Sequence, residues 1–201
     1  MNSKGKFIVF EGLDGAGTTT QSKILANTLN KQGKPSILTK EPSDRTIGKL
    51  IRQFLKGNFS FEEETMALLF AADRLDHIHN VIRPNINSGK NVISDRYFIS
   101  SMAYQSVKVD TDFVNRVNNY HLKPDLTILI DIDPVISLER KKSQPREAYE
   151  KLDFQKKVRE NYLLFADRYK IEHNVIIIDG SLPLEKVTKK VKDLICNSFK
   201  W

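Results

Sequence analysis

"VFEGLDGAGTTTQ", residues 9–21, closes an apolar, strand-like run and opens a helical pattern. Its spacing is that of a phosphate-binding loop, Gly-x-x-x-x-Gly-Lys-[Ser/Thr]. Gly12 and Gly17 stand at the right separation and Thr19 fills the hydroxyl slot, but the lysine slot holds Thr18. In such a loop, glycines let successive backbone N–H groups converge on an anion, and the following helix adds its positive end. Gly12, Leu13, Asp14, Gly15, Ala16, Gly17, Thr18 and Thr19 are therefore the candidate residues for a nucleoside triphosphate, with Thr19 suited to hold Mg²⁺ through its hydroxyl. Thr18 cannot bridge the terminal phosphates as lysine does. Asp14 would be repelled by phosphate oxygens and should turn toward a sugar hydroxyl or the hydration shell of Mg²⁺, or simply form the turn.

Outward from the loop, short apolar runs alternate with helical patterns. Strands are expected at Phe7–Phe10, Ser36–Thr39, Asn91–Ser94, Leu126–Ile130 and Val175–Ile178, each continuous in its apolar character, as in a parallel sheet buried on both faces. Helices are expected at 17–32, 46–56, 61–87, 134–142, 148–172 and 183–199, with Asp133–Pro134 as cap and first position and Pro183 acting likewise after Ser181. A further helix follows Asp95–Arg96. Within 46–56, Ile47, Leu50 and Ile51 should face inward, with Arg52 at the edge of that face. The expected fold is α/β, a doubly wound five-stranded parallel sheet flanked by helices. Ligands then gather at the carboxyl ends of the strands, which puts Glu11–Thr19, Lys40–Arg45, Asp95–Arg96, Asp131 and Asp179 along one edge.

The chain has 201 residues, 40% of them hydrophobic, enough for one domain with a sizeable core. No apolar run is long enough to span a membrane, no signal peptide is evident, and the single cysteine, Cys196, has no internal partner for a disulfide, so a cytoplasmic protein is expected. The net charge of +7 favours anionic partners. The cations are scattered, dense only in "ERKKSQPR" (139–146) and in "EKVTKKVK" (185–192), which reads as the solvated face of a terminal helix. There is no basic helix with stacking aromatics and no zinc pattern, so no nucleic-acid partner is expected.

Beyond the loop, "FIVFEGLDGAGTTTQSKILANTL" resembles the opening of thymidylate kinases. "TKEPSDRTIGKLIRQFL", "LLFAADRLDHI" and "VISDRYFISSMAYQ" resemble that family's next motifs in order, and "PDLTILIDIDPVISLERKK" the strand leading into its lid. The resemblance covers roughly 6–195. It implies the phosphate-loop NTPase fold in one domain over 1–201, with the loop at 12–19 and a short lid at about 140–150. It also implies transfer of the γ-phosphoryl group of ATP to dTMP, with Mg²⁺, by a homodimer.

The resemblance assigns roles residue by residue. Phe70 and Arg74 lie one turn apart in a helical pattern, where a ring could stack on a base and a guanidinium could donate to a base carbonyl. Core packing of Phe70 and an exposed Asp73–Arg74 ion pair are the plainer alternatives. Asp95, at a strand tip, would orient Mg²⁺ together with Thr19, and Arg96 would take the dTMP phosphate in bidentate fashion. Ser101, Tyr104 and Gln105 would enclose the nucleoside, with Tyr104 excluding a 2′-hydroxyl. Glu41 and Pro42 match the family's Arg-Glu-Pro, whereas Lys40 departs from its arginine. Arg45 and Arg52 both remain candidates for the acceptor phosphate. The stretch "EAYE", 147–150, departs from the family's Asp-Arg-x-Glu. Arg140 and Arg146 would then supply catalytic charge from the lid, because Gly15 occupies the place where other members carry a loop arginine. The rival readings are a related nucleotide kinase, or a nucleotide-binding protein whose kinase activity is weakened or lost with the loop lysine.

Overall fold

Five short strands pair side by side, all parallel, in the order β2-β3-β1-β4-β5. They are β1 (Phe7–Gly12), β2 (Ser36–Lys40), β3 (Asn91–Asp95), β4 (Leu126–Asp131) and β5 (Val175–Asp179) in a computed structural model that describes residues 4–58, 60–141 and 151–201. Each strand runs one or two residues beyond its apolar core, because the polar residue at its carboxyl end still pairs with its neighbour: Lys40 with Asp95, and Asp131 with Asp179. The central strands are buried almost throughout because helices cover both faces. Phe7, Ile8, Val9 and Phe10 are at most 1% exposed, while Ile177 on the edge strand β5 is 49% exposed.

Helical crossovers join the strands. α1 (Thr18–Lys31) links β1 to β2. α2 (Thr46–Leu55), α3 (Glu63–His77) and α4 (Arg83–Asn87) lead to β3. α5 (Phe98–Gln105) and α6 (Thr111–Val117) lead to β4, α7 (Pro134–Lys141) and α8 (Leu152–Arg168) to β5, and α9 (Leu184–Phe199) closes the described chain. β1 and β3 are neighbours although β2 lies between them in sequence. Phe10 pairs with Asp95, so the loop after β1 lies beside the tip of β3.

The helix expected over 61–87 is interrupted by a π-turn at Ile78–Ile82. Pro84 explains it: the proline has no N–H for the carbonyl of Asn80, and its ring would strike that carbonyl in a regular α-helix. α6 has no counterpart in the expected helices, although Asp110 caps it by accepting from Phe113 N at 2.9 Å. Leu50, expected inward, is 38% exposed. α2 instead buries Gly48, Ile51 and Phe54, spaced by three, and Leu50 lies off that stripe. Pro183 is the cap of α9 rather than its first residue, and Ser181 bonds back to Asp179. No helix of the described residues is long and apolar enough to cross a membrane.

Candidate active site

At the head of β1 the chain turns through Gly12 (φ 152°), Gly15 (82°) and Gly17 (100°) before α1 begins. At Gly12 a Cβ would lie 2.6 Å from the carbonyl oxygen of Ile130, so side chains are excluded by backbone as well as by conformation. Gly17 caps α1 in the left-handed region, and the first turn of this 14-residue helix carries no acidic residue, which leaves its positive end open to an anion. Thr18 is only 6% exposed, and its uncharged side chain offers the phosphates no cation. Thr19 is exposed, and its hydroxyl donates to Asp95 Oδ2. The other oxygen, Asp95 Oδ1, is buried with no hydrogen-bond partner among the described residues. A hydroxyl and a carboxylate, hard oxygen donors with spare capacity, fit a Mg²⁺ ion that keeps most of its water.

Arg96 follows Asp95 immediately and points the other way. Its φ of 71° is unusual for a residue with a side chain and carries a strain of about 1–3 kcal/mol. Its amide donates to Phe10 O at 2.8 Å. The guanidinium reaches Asp14 Oδ1 at 2.6 Å, Tyr162 OH at 2.9 Å and Ser100 Oγ at 3.3 Å, and its carbon lies 5.3 Å from the centre of the Tyr104 ring. Asp14, expected to turn toward a sugar hydroxyl or the hydration shell of Mg²⁺, instead pairs with the Arg96 guanidinium. Below this pair lies Glu11, fully buried, which accepts from Ser100 Oγ. Burial pushes its carboxyl up to about 7, against the opposing pull of the Ser100 hydrogen bond and the Arg96 charge. Glu11 is expected on the ligand edge, but the motifs give no role to it, to Ser100 or to Tyr162. An acidic residue inside a buried strand tip was the available signal for Glu11; Tyr162 had none, since α8 comes from the far end of the chain.

The cavity under Arg96 has a volume of about 200 Å³. Asp14, Glu41, Pro42, Arg52, Phe70, Arg74, Arg96, Ser101, Tyr104 and Gln105 line it together with Lys40, Leu55, Tyr97 and Ser100. Phe70 also packs on the small cluster of Ile51, Phe54 and Met66, so the ring both lines the cavity and takes part in packing. Arg74 and Asp73 are not a surface pair: they are 2% and 1% exposed and bond in different directions. Asp73 accepts from Ser43 N at 2.7 Å and Ser43 Oγ at 2.6 Å. Arg74 pairs with Glu41 Oε2 at 2.8 Å and donates to Tyr97 O at 3.0 Å, Ser101 Oγ at 2.8 Å and Asn118 Oδ1. Its Nε and the Oε1 of Gln105 are buried without partners among the described residues.

The two arginines left open by the sequence separate. Arg52 is tied by Nη1 to the carbonyls of Pro42 (2.7 Å) and Ser43 (2.6 Å) at the cavity wall. Arg45 lies outside the lining, paired with Asp76. Arg140 donates to the carbonyls of Gly180 at 3.1 Å and Gly15 at 3.4 Å, on the outer side of the phosphate loop. Arg146 and the rest of 142–150 lie outside the described residues. Asp131, expected on the ligand edge, is engaged by both Nε (2.7 Å) and Nη2 (2.8 Å) of Arg159.

Residues 10–191 match the family model described as thymidylate kinase. A protein of Methanococcus maripaludis named "Probable thymidylate kinase" is 41% identical over 200 residues, covering 96% of this chain and 96% of its own length. Proteins of the same name from Methanocaldococcus jannaschii (86% of each chain covered) and Thermococcus onnurineus (81% of this chain, 85% of the relative) are each 44% identical over 174 residues.

Proposed function

Because this chain belongs to the thymidylate kinase family, a family of phosphotransferases, we propose that it moves the γ-phosphoryl group of ATP to dTMP, giving dTDP. The observation that carries the reading is the divergence of two adjacent residues at the tip of β3. Asp95 turns to Thr19 at the head of the phosphate loop, and Arg96 turns to Asp14 above the cavity. A donor on the loop and an acceptor in the cavity would then meet between them.

In this reading the backbone amides of Gly12–Thr19 hold the triphosphate. Thr19 and Asp95 hold Mg²⁺, which when bound screens charge on the donor phosphates. Phe70 stacks on thymine. Arg74 and Gln105, which line the cavity, recognise the base edge, while Ser101 braces Arg74 and Tyr104 crowds the 2′ position. Arg96 exchanges part of its contact with Asp14 for the acceptor phosphate, Arg52 adds charge at the wall, and Glu41 and Pro42 shape that wall. The acceptor phosphate is already ionised at neutral pH, so no general base is required and catalysis consists of positioning and charge neutralisation. Arg140 and Arg146 supply the remaining charge from the lid, Arg140 after leaving its two carbonyls. We propose the same single domain over 1–201, working in the cytoplasm as a homodimer.

A coupled assay with ATP and a panel of nucleoside monophosphates tests this. dTMP should be preferred, dUMP weaker, and AMP, CMP and GMP poor; equal turnover of AMP or CMP would sink the proposal. Uncharged Thr18 favours one second reading, a nucleotide-binding protein with weakened or lost transfer. One charge-assisted contact in such a site is worth roughly 3–4 kcal/mol, or about 10²–10³ in rate. Measurable turnover in the parent chain is expected, with Thr18→Lys raising kcat or leaving it near its starting value. No turnover in the parent, restored by Thr18→Lys alone, would establish the second reading.

A further inference from the structure

His77 follows Arg74 by one turn of α3, is fully buried, and has no part in the reaction outlined above. Both of its ring nitrogens are engaged. Nε2 lies 2.6 Å from Thr39 Oγ1 on β2, and Nδ1 lies 3.1 Å from Glu41 Oε1 just beyond the end of that strand. The other oxygen of Glu41 is 2.8 Å from Arg74 Nη2. A carboxylate paired with Arg74 accepts, so Nδ1 carries the proton that points at Glu41, and Nε2 is left to bond the Thr39 hydroxyl. The chain of contacts Thr39–His77–Glu41–Arg74 therefore has a direction. Apart from Arg74, the carboxylate of Glu41 has only His77 to hold it among the described residues.

We propose that His77 is a positioning residue for base recognition: by fixing the carboxylate of Glu41 it helps hold the Arg74 guanidinium in place at the cavity wall. The inference rests on Arg74 being the base reader. Losing His77 would release one oxygen of Glu41 and loosen that carboxylate's hold on Arg74, whose bonds to Tyr97, Ser101 and Asn118 remain. Acceptor affinity would weaken while the phosphoryl-transfer geometry, set by Arg96 and the phosphate loop, is untouched.

Two amides separate this role from packing. His77→Asn keeps an N–H near the Nδ1 position and can still donate to Glu41. His77→Gln extends to the Nε2 end and reaches Thr39 only. In the intact chain, KM for dTMP should rise about tenfold in His77→Gln and His77→Ala and stay within about twofold in His77→Asn, with kcat nearly constant throughout, as for one hydrogen bond to a charged group. The same KM in all three variants, raised or not, would overturn the proposal, because volume rather than the Nδ1 donor would then be what matters. If the glutamine and alanine variants do not fold, Thr39→Val, at the partly exposed end of the chain of contacts, removes the hydroxyl that fixes the ring. Its KM should rise about threefold, a fraction of one hydrogen bond, and an unchanged KM would overturn the relay. Arg74→Lys is assayed in parallel. If it leaves KM for dTMP unchanged, the reading of Arg74 has failed; if it raises KM while every His77 and Thr39 variant is silent, the relay alone has failed.

Discussion

Glu11 is a carboxyl with no exposed surface, one oxygen held by Ser100 and the other unpartnered among the described residues. Its carboxyl is raised from 4.5 to about 7, with burial the dominant cause. Between those pH values the unfolded chain has released the proton and the folded chain still holds it. The contribution is fully present below pH 4.5 and is lost as pH rises through about 7. The loss amounts to something on the order of 3 kcal/mol. Glu11→Gln keeps an acceptor for Ser100 and has no proton to lose. Chemical denaturation at pH 5 and pH 8 should show the variant close to the parent at the lower pH and clearly more stable at the higher. Parallel shifts of parent and variant would mean that Glu11 remains ionised in the folded state. The same carboxyl lies under Arg96 through Ser100 and Tyr162, so the element that aims at the acceptor phosphate stands on a titrating support.

α2 has its own small core. Ile51, Phe54 and Met66 form a cluster separate from the main one, joined by partly buried Ile47, Leu55, Leu69 and Phe70. The helix carries Arg52 to the cavity wall and its neighbour cluster carries Phe70, so packing there serves binding more than global stability. Ile51→Ala removes a fully buried side chain and should cost about 2–5 kcal/mol locally. The expected outcome is a raised KM for dTMP, similar to that of Arg52→Ala, with a smaller drop in Tm than an equal truncation at Ile93 in the sheet. A Tm loss equal to that of Ile93→Ala would show that α2 unfolds together with the sheet. Helix α3 illustrates how one element serves two duties: Met66 and Ala67 are buried, Phe70 and Arg74 line the cavity, and Leu68 and Leu75 stay exposed.

Those exposed positions set the expectation for the whole molecule. Leu68 (49% exposed) and Leu75 (41%) lie two turns apart on one side of α3 with Ala72 between them. An apolar stripe on a surface helix is a natural contact for a second copy of the chain. If the protein is a homodimer through this stripe, Leu68→Glu with Leu75→Glu should yield a monomer in sedimentation velocity while the far-UV spectrum is retained. A dimer that persists would place the contact elsewhere. The net charge of +7 enters differently: dispersed cations predict weak, salt-sensitive association with duplex DNA and no specific complex.

Periodicity and spacing in the chain determined the five parallel strands, the phosphate loop and the acidic–basic pair at the tip of β3, because each is written in consecutive residues whose neighbours are local. Gly12, Gly15 and Gly17 announce their backbone, and an uninterrupted apolar run announces a strand covered on both faces. Tertiary structure alone decided the contacts between segments far apart in sequence. Arg45 and Arg52 are equal candidates in the sequence, and it is the approach of the Pro42–Ser43 backbone and of Asp44 that brings Arg52 to the wall while Asp76 draws Arg45 away. Arg159 gave no signal, since its partner Asp131 is 28 residues distant. His77 sat inside a quoted motif without a role. Its meaning depends on Thr39 and Glu41 arriving from the carboxyl end of β2, 38 and 36 residues away, and no local pattern encodes a hydrogen bond closed by the fold.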